Sequence, residues 1–134
     1  LSLLWSYAYD TNNQVDMVCS IVGPVNFTDP AYYNNPIYQP VYQLFGNLSI
    51  EFLESASPYH RATATSPPTQ LFYGGMDPLV PTSQGVDMDA QLTTLGVTHE
   101  FHFYPDEGHG WESANLIDTT TKISSYIETY IETE

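Results

Sequence analysis

The stretch Leu71-Phe72-Tyr73-Gly74-Gly75-Met76-Asp77-Pro78-Leu79-Val80-Pro81 decides the fold, and Phe103-Tyr104-Pro105-Asp106-Glu107-Gly108-His109-Gly110-Trp111 repeats its design. In each stretch an apolar strand is followed closely by one proton-handling side chain, which is Asp77 in the first and His109 in the second. An aspartate that orients an imidazole and a histidine that shuttles a proton are two of the three members of a catalytic triad.

The residues around these stretches predict strands that alternate with helices. Residues 24–40, with four prolines between polar and tyrosine residues, predict an irregular excursion. The order of the elements implies right-handed crossovers and a parallel sheet, with the third strand on the outside. Strands are expected at residues 15–22, 69–75 and 98–104, and helices at residues 1–8, 41–54, 82–95 and from Ser113 onward, with a short helical turn opening at Ser57-Pro58.

Asp77 and His109 both follow the carboxyl ends of predicted neighbouring strands. Active sites of parallel sheets lie at that edge, so we expect the topology to bring the two side chains together. Taken alone, Asp77 is typical of a turn before proline and His109 of a solvated loop. The two residues together, each with its flanking pattern, favour catalysis.

These residues resemble the α/β-hydrolase family, in particular its small esterase and carboxylesterase branch and the related catalytic domains of prolyl-oligopeptidase-type peptidases. In that family a serine in a G-x-S-x-G elbow precedes the acid and the histidine in the chain. The resemblance implies that Asp77 holds Nδ1 of His109 while Nε2 takes the serine proton. It also implies a small-molecule ester substrate, no metal and no organic cofactor. Candidate pocket residues are Pro24, Val25, Val80 and Trp111.

No G-x-S-x-G motif occurs in the 134 residues. We therefore expect an α/β chain that is the C-terminal part of an α/β-hydrolase fold, with three parallel strands and flanking helices. Residues 1–134 would be a single partial domain whose nucleophile-bearing half is absent. The first helix supports this expectation, because its apolar stripe of Leu1, Leu4, Trp5 and Ala8 begins without a capping residue.

The predicted function is the C-terminal part of a serine-dependent carboxylic ester hydrolase, which is inactive without its nucleophile. Two alternatives stay open. The chain could come from a prolyl-oligopeptidase-like serine peptidase, or it could be a non-catalytic structural or interaction module whose triad residues are idle.

Only two basic residues oppose 16 acidic ones, and the net charge is −14. Nucleic acids and anionic membranes are therefore excluded as partners, since both are bound through clustered lysine and arginine. The scattered carboxylates favour a secreted or periplasmic setting over a cytoplasmic one, although the sequence leaves the compartment open. Cys19 is the single cysteine, and we expect it in the core.

Other candidate sites are weaker. His99 and His102 are three positions apart on a predicted strand, so their rings should point to opposite faces and not share a metal ion. Asp106 and Glu107 are too near His109 in sequence to orient its Nδ1 easily. If the chain exists alone, the strand at residues 17–22 would have an uncovered apolar edge, which predicts a homodimer joined there.

Overall fold

The apolar run before Asp77 forms the central strand of a parallel sheet. The structure is a computed structural model that describes residues 1–131, apart from the side chain of Val41. Its strands are β1 (Val18–Ile21), β2 (Thr69–Gly74) and β3 (His99–Tyr104), in the order β1-β2-β3. Both strand pairs are parallel, and every residue of β2 is buried. The predicted parallel sheet with an outer third strand is confirmed, whereas the first strand is shorter than residues 15–22.

Helices connect the strands and cover both faces of the sheet. α6 packs on the face that carries Tyr73, and α7 packs on the face that carries Gln70. The helices are α1 (Ser2–Ala8), α2 (Pro30–Tyr33), a 3₁₀ turn (Pro36–Tyr38), α3 (Gln39–Phe45), α4 (Ile50–Ala56), α5 (Pro58–Arg61), α6 (Thr82–Leu95) and α7 (Ser113–Tyr130).

The helix predicted at residues 41–54 is two helices. Gly46 ends α3 in the left-handed conformation, with φ of 67°, which glycine adopts without steric cost. Ser49 then begins α4, because its side chain accepts a hydrogen bond from the amide of Phe52 at 3.2 Å. The segment Asn47-Leu48-Ser49 between them is exposed.

The buried faces of the first and last helices differ from the apolar stripes in the sequence. In α1, Leu3 and Ser6 are buried, whereas Leu1 and Trp5 of the predicted stripe are exposed. In α7 the buried residues are Thr119 and Tyr126. Both helices therefore use polar groups on the face that contacts the rest of the chain, which hydrophobic periodicity does not detect.

An aromatic cluster forms the core of the segment between β1 and β2. Its centre is Tyr42, which is 1% exposed and donates a hydrogen bond from its hydroxyl to the carbonyl of Phe27 at 2.8 Å. Phe27 makes edge contacts with Tyr32, Tyr42 and Phe45 at centroid distances of 5.2 to 6.3 Å. The segment for which the sequence predicts an irregular excursion thus forms short helices, and contacts between aromatic side chains hold these helices together.

β1 lies at one edge of the described sheet and pairs with β2 alone. Ile21 is exposed and Cys19 is only half-buried, so the expectation of a core cysteine is wrong. The homodimer at residues 17–22 stays a prediction, which light scattering would test. None of the helices within residues 1–131 combines the length and apolarity needed to cross a bilayer.

Candidate active site

The loops that follow β2 and β3 lie against each other at the carboxyl edge of the sheet. The amide of Met76 donates to the carbonyl of Glu107 at 2.8 Å. Gly74 permits this approach, because a Cβ there would lie 2.2 Å from the carbonyl oxygen of Gly108 and 2.4 Å from that of Glu107. Glycine is therefore required at residue 74 for space, and the loop that carries Asp77 contacts the loop that carries His109.

Asp77 is held by the backbone and paired with His109. Its side chain is completely buried. Oδ1 accepts hydrogen bonds from the amides of Leu79 at 2.7 Å and Val80 at 2.9 Å, while Oδ2 lies 2.9 Å from Nδ1 of His109. Since a carboxylate only accepts, we assign the proton of this bond to Nδ1. Asp77 is thus a turn residue and a histidine partner at the same time.

His109 lies at the tip of a tight turn. Gly108 and Gly110 pair across the turn, and Gly110 has a φ of 124°, a conformation that favours glycine. The imidazole is 38% exposed. Within residues 1–131 the structure gives the ring a hydrogen bond at Nδ1 only, so Nε2 is available to accept a proton from a reacting group.

A cavity of about 300 Å³ opens beside the segment that follows β1. The first turn of α1 forms one wall, and the other walls include Gly23, Pro24, Phe27, Tyr32 and Phe45. Of the candidate pocket residues, Pro24 lies in this lining. Aromatic and apolar groups dominate the surface, as in sites that take the apolar part of a small ligand.

Tyr32 connects this cavity with the Asp77 loop. Its ring stacks on that of Tyr38 at 3.9 Å, and the Tyr38 hydroxyl lies 3.5 Å from the carbonyl oxygen of Pro78. Burial, together with smaller contributions from the neighbouring Tyr38 and Asp77, raises the pKa of Tyr32 to about 12. The rings of Tyr32 and Tyr38 therefore link the wall of the cavity to the loop that carries Asp77.

The other three candidate pocket residues lie elsewhere. Val25 and Val80 are buried core side chains, at 0% and 3% exposure. Trp111 donates from Nε1 to Oγ1 of Thr119 at 2.8 Å, and its ring packs on Tyr104 at 4.8 Å. None of these three lines the cavity, and the expectation that they contact a substrate stays a prediction.

The remaining histidines have structural partners. Nε2 of His99 lies 3.1 Å from Asp89, and Nδ1 lies 2.8 Å from the carbonyl oxygen of Val97, which ties the start of β3 to α6. His102 contacts Glu100 at 2.9 Å and stacks on Phe72. The two rings do not meet. Within residues 1–131, no group of three or more histidine, cysteine, aspartate or glutamate side chains is placed to hold a metal ion.

Glu107, which lies beside His109, and the single cysteine also fall outside the pair. Oε1 of Glu107 accepts from Nδ2 of Asn115 at 2.7 Å. Burial and, to a lesser extent, the charge of Glu100 raise the pKa of the Cys19 thiol to about 11, a direction opposite to that of an activated cysteine nucleophile.

Sequence reasoning missed Gln84, the residue that fixes the segment after β1. Its side chain is completely buried in α6. Oε1 accepts from the amides of Val25 at 2.9 Å and Asn26 at 2.8 Å, and Nε2 donates to Asp29 Oδ2 at 2.7 Å. Its spacing of four from Met88 on the buried face was the available signal.

Comparison with known proteins decides the family. The sequence pattern that defines the prolyl oligopeptidase family matches residues 7–134. The chain belongs to this family. The three parallel strands with flanking helices are part of its α/β-hydrolase fold. A search among curated proteins gives no significant match.

Solved structures of esterases and peptidases share the fold of this prolyl oligopeptidase family member. A truncated carbohydrate esterase from gut microbiota is 23% identical, with a TM-score of 0.68 over 83% of this chain and 42% of its own. A butyrate-bound esterase from Thermogutta terrifontis is 17% identical, with a TM-score of 0.66 over 87% of this chain and 44% of its own. A puromycin-hydrolysing peptidase from Mycobacterium tuberculosis is 22% identical, with a TM-score of 0.70 over 90% and 20%. The chain thus spans less than half of each of these structures.

Proposed function

We propose that the chain supplies the acid and the histidine of a serine hydrolase that cleaves carboxylic esters. The observation that carries the proposal is the pairing of a buried, amide-held Asp77 with Nδ1 of a partly exposed His109 at 2.9 Å. Asp77 fixes the tautomer and stabilises the imidazolium, and Nε2 of His109 takes the proton of the nucleophile. The nucleophile is a serine in a G-x-S-x-G elbow, which these 134 residues do not contain.

The proposed reaction is acyl transfer to water in two stages. The serine Oγ attacks the acyl carbon while its proton moves to Nε2 of His109, and that proton then passes to the departing alkoxide as the ester bond breaks. In the second stage a water molecule loses a proton to Nε2 and attacks the acyl-serine, and the same proton returns to the serine as the carboxylic acid leaves. Asp77 keeps its charge throughout both stages.

The proposed substrate is an ester with a short acyl group. A cavity of about 300 Å³ lies at the lower end of the range for ligand pockets, and its walls of Phe27, Tyr32 and Phe45 are apolar. The butyrate bound to the Thermogutta terrifontis esterase is a ligand of the same kind. An acylated sugar is also a proposed substrate, since its acyl group would bind in the same cavity.

The test is an assay of the complete protein with p-nitrophenyl acetate and butyrate. We expect His109→Ala to lower kcat by roughly 10⁵-fold or more and Asp77→Asn by roughly 10⁴-fold, as for triad members that act as a unit. His99→Ala and Asp89→Asn are the matched controls, because they remove a second Asp–His pair at the start of β3, opposite the end that carries His109. A fluorophosphonate label mapped to a serine in a G-x-S-x-G motif supports the proposal. Turnover that survives His109→Ala contradicts it.

The chain of 134 residues by itself is proposed to be inactive, because a histidine and an aspartate without a positioned hydroxyl have nothing to acylate. Only background imidazole catalysis of p-nitrophenyl acetate should remain. Turnover by this chain that a serine-directed inhibitor blocks, and that His109→Ala removes, would overturn this part of the proposal.

A second candidate function is peptide hydrolysis, which the match to the prolyl oligopeptidase family favours. Amide substrates such as dipeptidyl p-nitroanilides separate the two: a higher kcat/KM on these than on the esters would make the protein a peptidase. An absence of both activities would favour a non-catalytic module.

We also propose a secreted or periplasmic location, which the net charge of −14 supports.

A further inference from the structure

We infer that two hydrogen bonds to one face of α7 set the position of His109. Glu107 and Trp111 lie two residues before and two residues after the histidine. Each bonds to α7, Glu107 to Asn115 at 2.7 Å and Trp111 to Thr119 at 2.8 Å. Asn115 and Thr119 are four positions apart, so they share one face of the helix. We call these two bonds the α7 clamp.

The side chains next to the histidine give its ring little restraint. Both immediate neighbours, Gly108 and Gly110, lack side chains, and the imidazole is 38% exposed. Apart from the bond to Asp77, the ring has no other hydrogen bond among residues 1–131. The orientation of Nδ1 toward Asp77 therefore depends on where residues 107 and 111 are held.

The first half of the clamp joins three elements at one residue. The side-chain carboxylate of Glu107 accepts from Asn115, and its backbone carbonyl accepts from the amide of Met76 at 2.8 Å. Met76 precedes Asp77 directly. The distance between the aspartate loop, the histidine turn and α7 is therefore fixed through Glu107.

The second half is connected to a buried polar network. Thr119 is completely buried, and its Oγ1 accepts from Trp111 and donates to the Tyr104 hydroxyl at 2.9 Å. The Tyr104 hydroxyl in turn donates to Asp118 at 2.7 Å. Because each group in this chain has its partner inside the protein, the Trp111 indole has one favourable position, and the backbone that leaves the histidine turn is held with it.

This inference rests on the proposed function only for its effect on catalysis. In the absence of substrate, the clamp predicts a property of the His109–Asp77 bond that can be measured directly. If the clamp is broken, Nδ1 of His109 should leave Oδ2 of Asp77 for part of the time, and the Nδ1 proton should exchange with solvent.

The test is ¹⁵N-edited NMR of the complete protein with labelled histidine. Asn115→Ala and Thr119→Val each remove one half of the clamp, and Trp111→Phe removes the second half while leaving Thr119 bonded to Tyr104. We expect the His109 Nδ1 proton to exchange at least 10-fold faster in each variant. Thr119→Ser keeps the hydroxyl and should restore the slow exchange of the original protein.

Thr120→Val is the matched control for Thr119→Val. Thr120 is the next residue of α7, is exposed, and bonds only to carbonyl groups of its own helix. Unchanged exchange in the three clamp variants, relative to Thr120→Val, would overturn the inference. If Thr119→Val does not fold, Trp111→Phe decides on the second half.

Activity provides the second readout. In the ester assay the clamp variants should lower kcat by about 10- to 100-fold at an unchanged KM, since misplacing a catalytic group by about 1 Å costs this much. Faster exchange with normal kcat would overturn the catalytic part of the inference. Faster exchange in a protein that shows no hydrolysis even without substitutions would uphold the clamp and reject the proposed function.

Discussion

The segments that follow the three strands at the carboxyl edge of the sheet are built in two different ways. After β2 and β3 the loops are short and closed by hydrogen bonds from the backbone, with Asp77 and His109 at their centre, and we call these two loops the polar loops. After β1 the chain runs from Val22 to Pro68 through short helices, and we call this part the aromatic segment. Contacts between stacked and edge-on rings and hydrogen bonds from the buried Gln84 hold it together.

This difference separates two tasks. The polar loops hold Nδ1 of His109 2.9 Å from Oδ2 of Asp77, which in the proposed function fixes the tautomer of the histidine. The aromatic segment forms one wall of the cavity, whose shape and apolar area select the acyl group in the proposed function. A change in one region should therefore leave the other largely intact, and this independence can be tested.

The largest expected effect comes from Gly74→Ala. The added Cβ would lie 2.2 Å from the carbonyl oxygen of Gly108, so the histidine turn must move away. We expect a loss of about 3 kcal/mol in the free energy of unfolding, at the upper end for overpacking, together with loss of the Asp77–His109 bond. Urea denaturation and the NMR signal of the His109 Nδ1 proton measure the two effects.

Gly108→Ala is the control for this substitution. A Cβ at residue 108 would have its nearest neighbour at 3.9 Å, the carbonyl oxygen of Met76, so space is available in the same turn. We expect a change of about 0.5 kcal/mol or less. Equal stability of Gly74→Ala and Gly108→Ala would show that the two polar loops are not closely packed.

The polar loops could be predicted from the sequence, whereas the aromatic segment could not. The Gly-Gly pair before Asp77 and the glycines on both sides of His109 are local signals of tight turns. The parallel topology then brings the two loops together. The contacts of Tyr42 with Phe27 and Phe45 depend on how separate short helices fold back on one another, which no periodicity records. The sequence of residues 24–40 therefore predicts only an irregular excursion and none of these contacts.

Polar side chains on buried helix faces are the second feature that the sequence does not predict. In α7 the apolar Leu116 and Ile127 are exposed, whereas the polar Thr119 is completely buried. A threonine is buried there because its hydroxyl has two partners, Trp111 and Tyr104. Such partners come from another element, so the sequence of the helix alone does not reveal them.

A smaller effect is expected from Gln84→Met, which acts on the aromatic segment. The substitution keeps the volume but leaves the amides of Val25 and Asn26 without their acceptor, at a cost of about 2 kcal/mol. Hydrogen exchange should become faster across residues 24–56 and stay slow at residues 74–80 and 104–111. Loss of the Asp77–His109 signal in this variant would contradict the independence of the two regions.

Gln84→Glu sharpens the same test through pH. The new carboxylate would keep the acceptor for the amides of Val25 and Asn26, but it would lie beside Asp29, whose Oδ2 is 2.7 Å from Nε2 of Gln84. Two carboxylates at this distance repel each other, so we expect the variant to be less stable than the original protein at neutral pH and to regain stability at acid pH, where one of the two is protonated. Stability that is independent of pH between 4 and 7 would show that the glutamine does not contact Asp29.

The smallest expected effect concerns Tyr32, where the two regions come closest. Burial is the first cause of its raised pKa of about 12, and the charge of Asp77 is a lesser one. Because the folded pKa lies above the ordinary value of 10.0, the contribution of Tyr32 to stability is complete below pH 10 and is lost as the pH rises toward 12. Asp77→Asn removes the charge, so we expect the pKa of Tyr32 to fall by a fraction of a unit in a titration followed by ¹³C NMR of labelled tyrosine. Asp89→Asn is the control, since that carboxylate pairs with His99 and does not contribute to the pKa of Tyr32. An equal shift in both variants would mean that Tyr32 responds to net charge alone and that the cavity is electrostatically separate from the aspartate loop.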